Sequence, residues 1–280
     1  MRLLVTGAAG MLGRDVVAAA GEAGHEAVAL ARADLDITDP AAVRAAVHAA
    51  QPDAVINCAA WTDVDGAENA EAQATAVNGA GAGNVAQAAA AADALLVHVS
   101  SDYVFDGTAT EPYREDAATA PQGAYGRSKL AGERAVAAAG GRAAIVRSAW
   151  LYGPHGRNFV DTMRRLGAER EEIAVVDDQV GCPTYTGHLA PALIAIAERG
   201  TTGVLHVAAG GRASWFDLAV ATFEETGLHC HVKPQTTAEL GRPAPRPAFS
   251  VLASSRADAP RLPHWRDGLR AHLARIEVAA

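Results

Sequence analysis

Apolar and polar positions alternate in two rhythms along the first half of the chain. Short apolar runs predict strands at residues 2–6, 26–31, 54–57, 95–100 and 143–147. Longer stretches with helical spacing lie between them and predict helices at residues 11–23, 41–50, 71–91 and 125–139. Asp39 is placed as the N-cap of the second helix, with Pro40 at its first position. Alternating strands and helices predict an α/β fold, a parallel sheet with helices on both faces.

After residue 150, strands and helices alternate less regularly. We predict helices at 158–166, 188–199, 214–226 and 265–276, with Ser214 as an N-cap, and strands at 173–176 and 203–208. Residues 234–263 are dense in proline but carry Phe249, Val251 and Leu252. We therefore expect an ordered loop over a site rather than a linker.

Charge and composition exclude several classes of function. The net charge of −8 argues against a nucleic-acid-binding surface, and no apolar run is long enough to cross a membrane. Asp15 interrupts any leader-like segment at the start of the chain. Cys58, Cys182 and Cys230 are scattered without metal-ligand spacing, which indicates reduced thiols in a cytoplasmic protein.

A glycine-rich turn follows the first predicted strand directly and opens the first predicted helix. Its glycines are Gly7, Gly10 and Gly13. Glycine permits a tight turn and close approach of a pyrophosphate, and the free N–H groups of the helix N-terminus attract the anion. The alternative is a flexible turn in a chain with 27 glycines.

Ligands bind parallel sheets of this kind at the carboxyl ends of the strands. Gly7, Asn57 to Ala60, Ser100 with Ser101, and Ser148 to Trp150 all follow predicted strands. We expect these groups to line one edge of the sheet.

Tyr125 and Lys129 lie four residues apart at the start of a predicted helix, so their side chains share a face. A nearby ammonium stabilises a phenolate and lowers its pKa, which makes the tyrosine a plausible proton donor to a ketone. Taken alone, the pair fits an exposed helix face better. Ser100 and Ser101 offer hydroxyls to a substrate carbonyl, or they cap the strand end. Asp102 either binds sugar hydroxyls or fixes the loop.

The order and spacing of these blocks resemble the extended short-chain dehydrogenase/reductases and, within them, the dTDP-4-dehydrorhamnose reductase family. The resemblance covers nearly the whole chain and includes Asp178 to Thr184 and Arg246 to Leu252. It implies an enzyme with a Rossmann-type NAD(P)-binding domain at residues 1–150, to which segments near 173–210 add. Residues 151–280 would mainly form the nucleotide-sugar domain.

The resemblance also implies a reaction and residue roles. The 4-keto group of dTDP-4-dehydro-β-L-rhamnose would be reduced to give dTDP-L-rhamnose, with Tyr125 as proton donor, Lys129 tuning it and Ser101 binding the keto oxygen. Implied coenzyme contacts are Gly7, Gly10, Met11, Leu12, Asp36, Ile37, Ala60, Trp61, Thr62, Tyr125 and Lys129. Implied substrate contacts are Ser101, Asp102, Trp150, Asn158 and Arg246.

The choice of coenzyme depends on the end of the second strand. An acid there holds the ribose of NAD, whereas an arginine accommodates the extra phosphate of NADP. Arg32 stands at this position with Asp34 two residues on, which favours NADPH and leaves NADH possible. Arg32 as a solvated surface charge is the alternative.

No metal site is expected. Some members of the resembled family dimerise through magnesium held by glutamates, whereas the corresponding regions here read Arg14-Asp15 and Gly187-His188, so we predict a monomer. His229 and His231 would share a strand face but lack a third ligand. Trp61 and Trp150 sit at strand ends and are candidates for stacking on ligand rings, whereas Trp215 and Trp265 are predicted core residues.

Other functions remain open. The same chemistry could act on a related dTDP-4-keto-6-deoxy sugar in secondary metabolism, since the motifs define ketone and coenzyme but not sugar stereochemistry. An epimerase or dehydratase of the superfamily would hold NAD tightly. A non-catalytic NADP-binding subunit, like the regulatory subunit of methionine adenosyltransferase, would need no intact Ser101, Tyr125 and Lys129.

Overall fold

The computed structural model describes residues 1–278 as alternating strands and helices. The strands are β1 Arg2–Thr6, β2 Glu26–Leu30, β3 Ala54–Asn57, β4 Leu95–Ser101, β5 Ala143–Ser148, β6 Leu151–Tyr152, β7 Glu172–Val176, β8 Val180–Gly181, β9 Thr184–Tyr185, β10 Gly203–His206, β11 Ala213–Ser214 and β12 His231–Gln235. The helices are α1 Met11–Glu22, α2 Pro40–Ala50, α3 Val64–Asn69, α4 Glu71–Thr75, α5 Ala82–Ala91, α6 Ala124–Ala138, α7 Phe159–Glu169, α8 Thr186–Arg199, α9 Trp215–Thr226, α10 Thr237–Leu240 and α11 Trp265–Val278.

Six parallel strands form the central sheet in the order β10-β5-β4-β3-β1-β2. Residues alternate between its two faces: Leu3 and Val5 pack with α1 and α8, whereas Leu4 packs with α2, α5 and α6. Burial on both faces explains why these strands read as continuous apolar runs. The predicted α/β class with a Rossmann-type parallel sheet is confirmed.

The later strands divide between sheets. β10 pairs with β5 and extends the central sheet. β7 instead pairs with β12 in a separate two-stranded parallel sheet that α9 covers. The division of function between residues 1–150 and 151–280 stays a prediction.

The predicted helix over residues 71–91 contains a change of pitch. α4 leads into a π-helical turn, Ala76–Gly81, which leads into α5. The π-helical turn packs closely against α6. A Cβ on Gly132 of α6 would overlap the Asn78 carbonyl oxygen of the turn. The turn thus lets the backbone of this helix approach α6 closely.

The proline-dense segment is held by backbone hydrogen bonds, as predicted for an ordered loop, and its place over a site stays a prediction. We call residues 242–255 the strap. Within the strap, the Ser250 amide donates to Val180 O at 2.8 Å, and the Phe249 amide donates to Gly107 O at 3.1 Å. Further along, the Tyr113 amide donates to Val251 O at 2.9 Å. The strap therefore joins loops from both halves of the chain.

Across residues 1–278, none of the helices combines the length and the apolar character that spanning a bilayer would require.

Candidate active site

The glycine-rich turn between β1 and α1 is shaped by close backbone contacts. Gly7 has φ +67°, and a Cβ there would lie 2.6 Å from the Ala59 amide nitrogen. A Cβ on Gly13 would overlap the Gly7 carbonyl oxygen. Gly10 is the N-cap of α1 and supplies no side-chain cap, so the first N–H groups of the helix are left for another acceptor. Free N–H groups at a helix start suit an anion, and the binding of a pyrophosphate by this turn stays a prediction.

The end of β2 presents a cation rather than a free acid. Arg32 is exposed, while the Asp34 carboxylate accepts the Ala31 amide at 2.9 Å within its own turn. Asp36 accepts the amide and hydroxyl of Thr38 at 2.9 and 2.8 Å, and these bonds lower the pKa of its carboxyl. Ile37 is buried beside them. The arrangement suits a phosphate near Arg32 better than a ribose diol near Asp34.

Asn78, which sequence reasoning missed, holds the loop after β3. The Trp61 amide donates to Asn78 Oδ1 at 2.8 Å, and Asn78 Nδ2 donates to Trp61 O at 3.0 Å. Asn78 Nδ2 also donates to Ser128 Oγ at 2.8 Å, and that hydroxyl donates to Tyr125 O at 2.7 Å. The Ala60 to Thr62 wall and the tyrosine helix are therefore held in fixed relation. The available signal was a polar Asn-Gly pair inside an alanine-rich helix.

Tyr125 and Lys129 lie on the first turns of α6, beside the end of β4. Lys129 is buried, and its Nζ donates to Val99 O at 2.7 Å. Burial lowers the pKa of Lys129 to about 8, against the opposing effect of Glu133. Burial around the hydroxyl raises the pKa of Tyr125 to about 12, the Asp102 charge acts in the same direction, and Ser101 opposes them. The pKa of Tyr125 therefore lies above its ordinary value, and not below it as expected from the neighbouring ammonium of Lys129, because burial is the largest effect.

Ser101 and Asp102 form a hydrogen-bonded pair next to Tyr125. Ser101 Oγ donates to Asp102 Oδ1 at 2.9 Å and accepts the Tyr103 amide at 3.2 Å. Asp102 is only 1% exposed, and burial raises the pKa of its carboxyl to about 6. Asp102 thus helps to fix the loop and is enclosed by protein.

Ser100 points to a different group. Its hydroxyl donates to Glu133 Oε1 at 2.6 Å, and the same carboxylate binds Arg147 through two bonds of 2.9 and 2.7 Å. All three side chains are buried. Glu133 was missed, although it lies four residues after Lys129 on the same helix face. It supports the ammonium of Lys129 electrostatically.

Trp150 is held in an aromatic stack. It has φ +49°, and its ring lies 3.7 Å from that of Trp215 with an interplanar angle of 1°. A Cβ on Gly181 would lie 2.7 Å from Nε1 and 2.8 Å from Cζ2 of Trp150, above the indole. Trp215 was predicted to be a core residue but is only half-buried, because it is the first residue of α9. Trp265 is buried, as predicted.

Arg246 and Asn158 already have protein partners. Arg246 Nη1 and Nη2 each lie 3.0 Å from Asp65 oxygens, and Asp65 also accepts the Ala244 amide at 3.2 Å. Asn158 is the N-cap of α7, and its amide donates to Gly153 O at 2.9 Å. The structure therefore gives Asn158 a structural task, whereas Arg246 sits on the strap near Tyr103.

The structure describes no group of three or more His, Cys, Asp and Glu residues in 1–278 that could hold a metal. Asp15 is buried and binds Thr186 Oγ1 at 2.5 Å and Arg275 Nη1 at 2.8 Å. β12 begins at His231, so His229 and His231 do not share a strand face as predicted.

The comparisons identify the family. The chain matches the family model for the RmlD substrate binding domain over residues 1–278. The chain belongs to this family.

Relatives in the RmlD family cover almost the whole chain. The dTDP-4-dehydrorhamnose reductase of Mycobacterium tuberculosis is 49% identical over 98% of this chain and 92% of its own length. The dTDP-4-keto-6-deoxy-D-glucose reductase of Streptomyces niveus is 46% identical over 96% of this chain and 95% of its own. The crystal structure of dTDP-4-dehydrorhamnose reductase from Bacillus anthracis in complex with NADP has a TM-score of 0.95 at 38% identity, covering 98% of this chain and 99% of that one.

Proposed function

We propose that this member of the RmlD family is an NADPH-dependent reductase of the C4 ketone of dTDP-4-dehydro-β-L-rhamnose, with dTDP-L-rhamnose as product. The observation that carries the proposal is the placement of Ser101, Tyr125 and Lys129 together at the carboxyl edge of the sheet. The glycine turn lies at the same edge, and relatives of this name match over nearly the whole chain.

The three residues proposed around the ketone have different roles in the reaction. Tyr125 gives a proton to the keto oxygen, and because its pKa is about 12 it holds that proton throughout the neutral range. Ser101 orients the ketone by hydrogen bonding, and Lys129 places a positive charge that stabilises the developing phenolate. Asn78 and Glu133 keep the helix and the ammonium in position.

NADPH fits the residues on the opposite part of the edge. Gly7, Gly10, Met11 and Leu12 would hold the pyrophosphate, and Arg32 the phosphate on the adenosine ribose, with Asp36 and Ile37 near the adenine. Ala60, Trp61 and Thr62 would line its path to Tyr125. When bound, the coenzyme supplies the hydride for C4. NADH remains possible as a weaker alternative.

The first test is the Tyr125→Phe variant. We expect turnover to fall by about a thousandfold or more, since the proton donor is lost, while coenzyme affinity changes little. NADPH oxidation measured with the dTDP-4-keto sugar, together with a coenzyme titration by fluorescence, gives both quantities. A Phe variant that turns over near the wild-type rate would remove Tyr125 from the chemistry.

A related dTDP-4-keto-6-deoxy sugar is the second candidate substrate, favoured by the 46% identity to the Streptomyces niveus enzyme. Supplying the ketone with and without prior 3,5-epimerisation separates the two. Consumption of NADPH that depends on the epimerised sugar supports the rhamnose product, and consumption without it supports the alternative.

We further propose that the enzyme works as a monomer in the cytoplasm. Arg275 of the same chain donates a hydrogen bond to the Asp15 carboxylate. This contact supports the proposal, because it balances the charge of Asp15 without a bridging metal. Light scattering coupled to size exclusion, with and without magnesium, tests this. A magnesium-dependent dimer would contradict it.

A further inference from the structure

The carboxylate of Glu115 joins the strap to the central sheet. Its Oε1 atom accepts the His206 amide of β10 at 3.2 Å and also binds the Ser254 hydroxyl. Its Oε2 atom accepts the amide and the hydroxyl of Ser255, each at 2.9 Å. Each carboxylate oxygen therefore binds one backbone N–H, and the two N–H groups come from segments that are distant in the chain.

The main chain of Glu115 is connected to the buried charges beside Lys129. The Glu115 carbonyl oxygen accepts Arg147 Nη1 at 3.3 Å. Arg147 binds Glu133 in an ion pair whose two side chains are only 5% and 6% exposed. Glu133 and Lys129 belong to α6, so Glu115 is held from the side of the sheet as well as from the strap.

The strap residues before Ser254 contact the surroundings of two proposed substrate contacts, Trp150 and Asp102. Val251 and Leu252 are buried in an apolar cluster, and the Trp150 side chain packs against this cluster. Ser250 is buried beside Asp102, and its hydroxyl favours the charged form of that carboxyl. A shift of the strap end would therefore move residues that adjoin both contacts.

The attachment requires a charged carboxylate. Burial opposes the ionisation of Glu115, but the hydrogen bonds from Ser254 and Ser255 outweigh it and lower the pKa of its carboxyl to about 2. Glu115 is therefore ionised throughout the neutral range, and both of its oxygens accept. A glutamine has one acceptor oxygen, so its NH2 group would face either the His206 amide or the Ser255 amide.

We propose that Glu115 is a positioning residue for sugar binding: it fixes the end of the strap to β10 and so places strap residues 250–252 against the surroundings of Asp102 and Trp150. This inference rests on the proposed reductase function. Among residues 1–278, the hydrogen-bond partners of the Glu115 carboxylate lie on β10 and the strap, away from the glycine turn. Sugar binding rather than coenzyme binding should therefore depend on it.

The kinetic test is Glu115→Gln, which keeps the size of the side chain and removes the charge. We expect KM for the dTDP-4-keto sugar to rise by about tenfold and KM for NADPH to change by less than about twofold. Initial rates with each substrate varied in turn measure both constants. A purely structural role would lower the amount of active enzyme and leave both KM values unchanged.

Two further variants make this test decisive. Glu111→Gln removes an exposed glutamate from the same loop and should keep both wild-type KM values. The double variant Ser254→Ala with Ser255→Ala removes two hydroxyl donors but keeps both amide contacts, so its sugar KM should rise by about threefold. This variant decides alone if Glu115→Gln does not fold. A wild-type sugar KM in the variants of the attachment, or an equal rise in KM for NADPH, contradicts the inference.

A substrate-free measurement separates this inference from the reductase proposal. Hydrogen exchange followed by mass spectrometry should show faster exchange of strap residues 249–255 in Glu115→Gln, with exchange in β1 and the glycine turn unchanged. Equal exchange of the strap in wild type and variant would overturn the inference. Absence of ketone reduction in the wild type would instead refute the reductase proposal.

Discussion

At the residue scale, the end of β2 shows how local hydrogen bonds decide which charge is available to a ligand. Asp34 and Asp36 both follow Arg32, yet each carboxylate accepts hydrogen bonds within its own turn. The cation extends into solvent. From the sequence alone, Asp34 two residues after Arg32 leaves the choice between NADPH and NADH open. The turn geometry shows that the Asp34 carboxylate accepts a backbone amide of its own turn.

Arg32→Ala should raise KM for NADPH by about tenfold or more, because a charge-assisted contact to phosphate is lost. KM for NADH should change much less. Initial rates with both coenzymes measure the ratio. Arg44→Ala, which removes an exposed arginine from α2, serves as the control. Equal effects on the two coenzymes would make Arg32 a surface charge.

At the element scale, hydrophobic spacing predicted the helices and central strands well, because each buries a continuous face. Asp39 caps α2 and Ser214 caps α9, as predicted. The π-helical turn in the helix after β3 was not predictable, since it depends on contact with α6. The stack of Trp150 on Trp215 was likewise hidden, because it joins residues 65 positions apart and needs a positive φ at a tryptophan.

The same reasoning explains the site. The positions of Tyr125, Lys129 and Ser101 were predictable because one helix start and one strand end carry them, while their catalytic roles stay a proposal. Asn78 and Glu133 act through other residues, so their spacing alone carried little information. Trp215 shares a helix with core residues such as Leu218 and was grouped with them.

Trp215→Leu should raise KM for the dTDP-sugar about fivefold, since Trp150 loses an aromatic pairing of about 1 kcal/mol and its fixed orientation. The KM for NADPH should stay near the wild-type value. Steady-state rates with each substrate varied in turn measure both constants. Phe216→Leu is the matched control, because Phe216 follows Trp215 directly and packs against the same apolar cluster, whereas the stack on Trp150 is made by Trp215. An unchanged sugar KM in Trp215→Leu would separate the stack from substrate binding.

At the scale of the whole molecule, the short helix α3 that follows β3 binds several distant elements. Asp65 holds Arg246 and Ala244 of the strap. Glu68 accepts the Ala124 amide at 2.8 Å, at the start of the tyrosine helix. The proposed coenzyme wall, the proposed proton donor and the strap are thus connected through one short segment.

Asp65→Asn should increase hydrogen exchange in the strap, because the part-buried pair with Arg246 is lost. Exchange in β4 and β5 should stay unchanged, since the sheet core does not contact Asp65. Exchange followed by mass spectrometry resolves the two regions. Arg242→Gln is the control: its pair with Asp65 is longer, at 3.5 Å, and Arg242 is exposed. Equal protection of the strap in wild type and Asp65→Asn would show that other contacts hold it.

The course of the strap also determines when the site can form during synthesis. All six central strands exist once His206 has left the ribosome, so the sheet and the glycine turn can assemble first. The strap emerges later, and its partners Asp65, Gly107 and Val180 are by then far back in the chain. The nascent chain can therefore complete the proposed coenzyme surface before the strap reaches these partners, and the proposed substrate side of the site forms later.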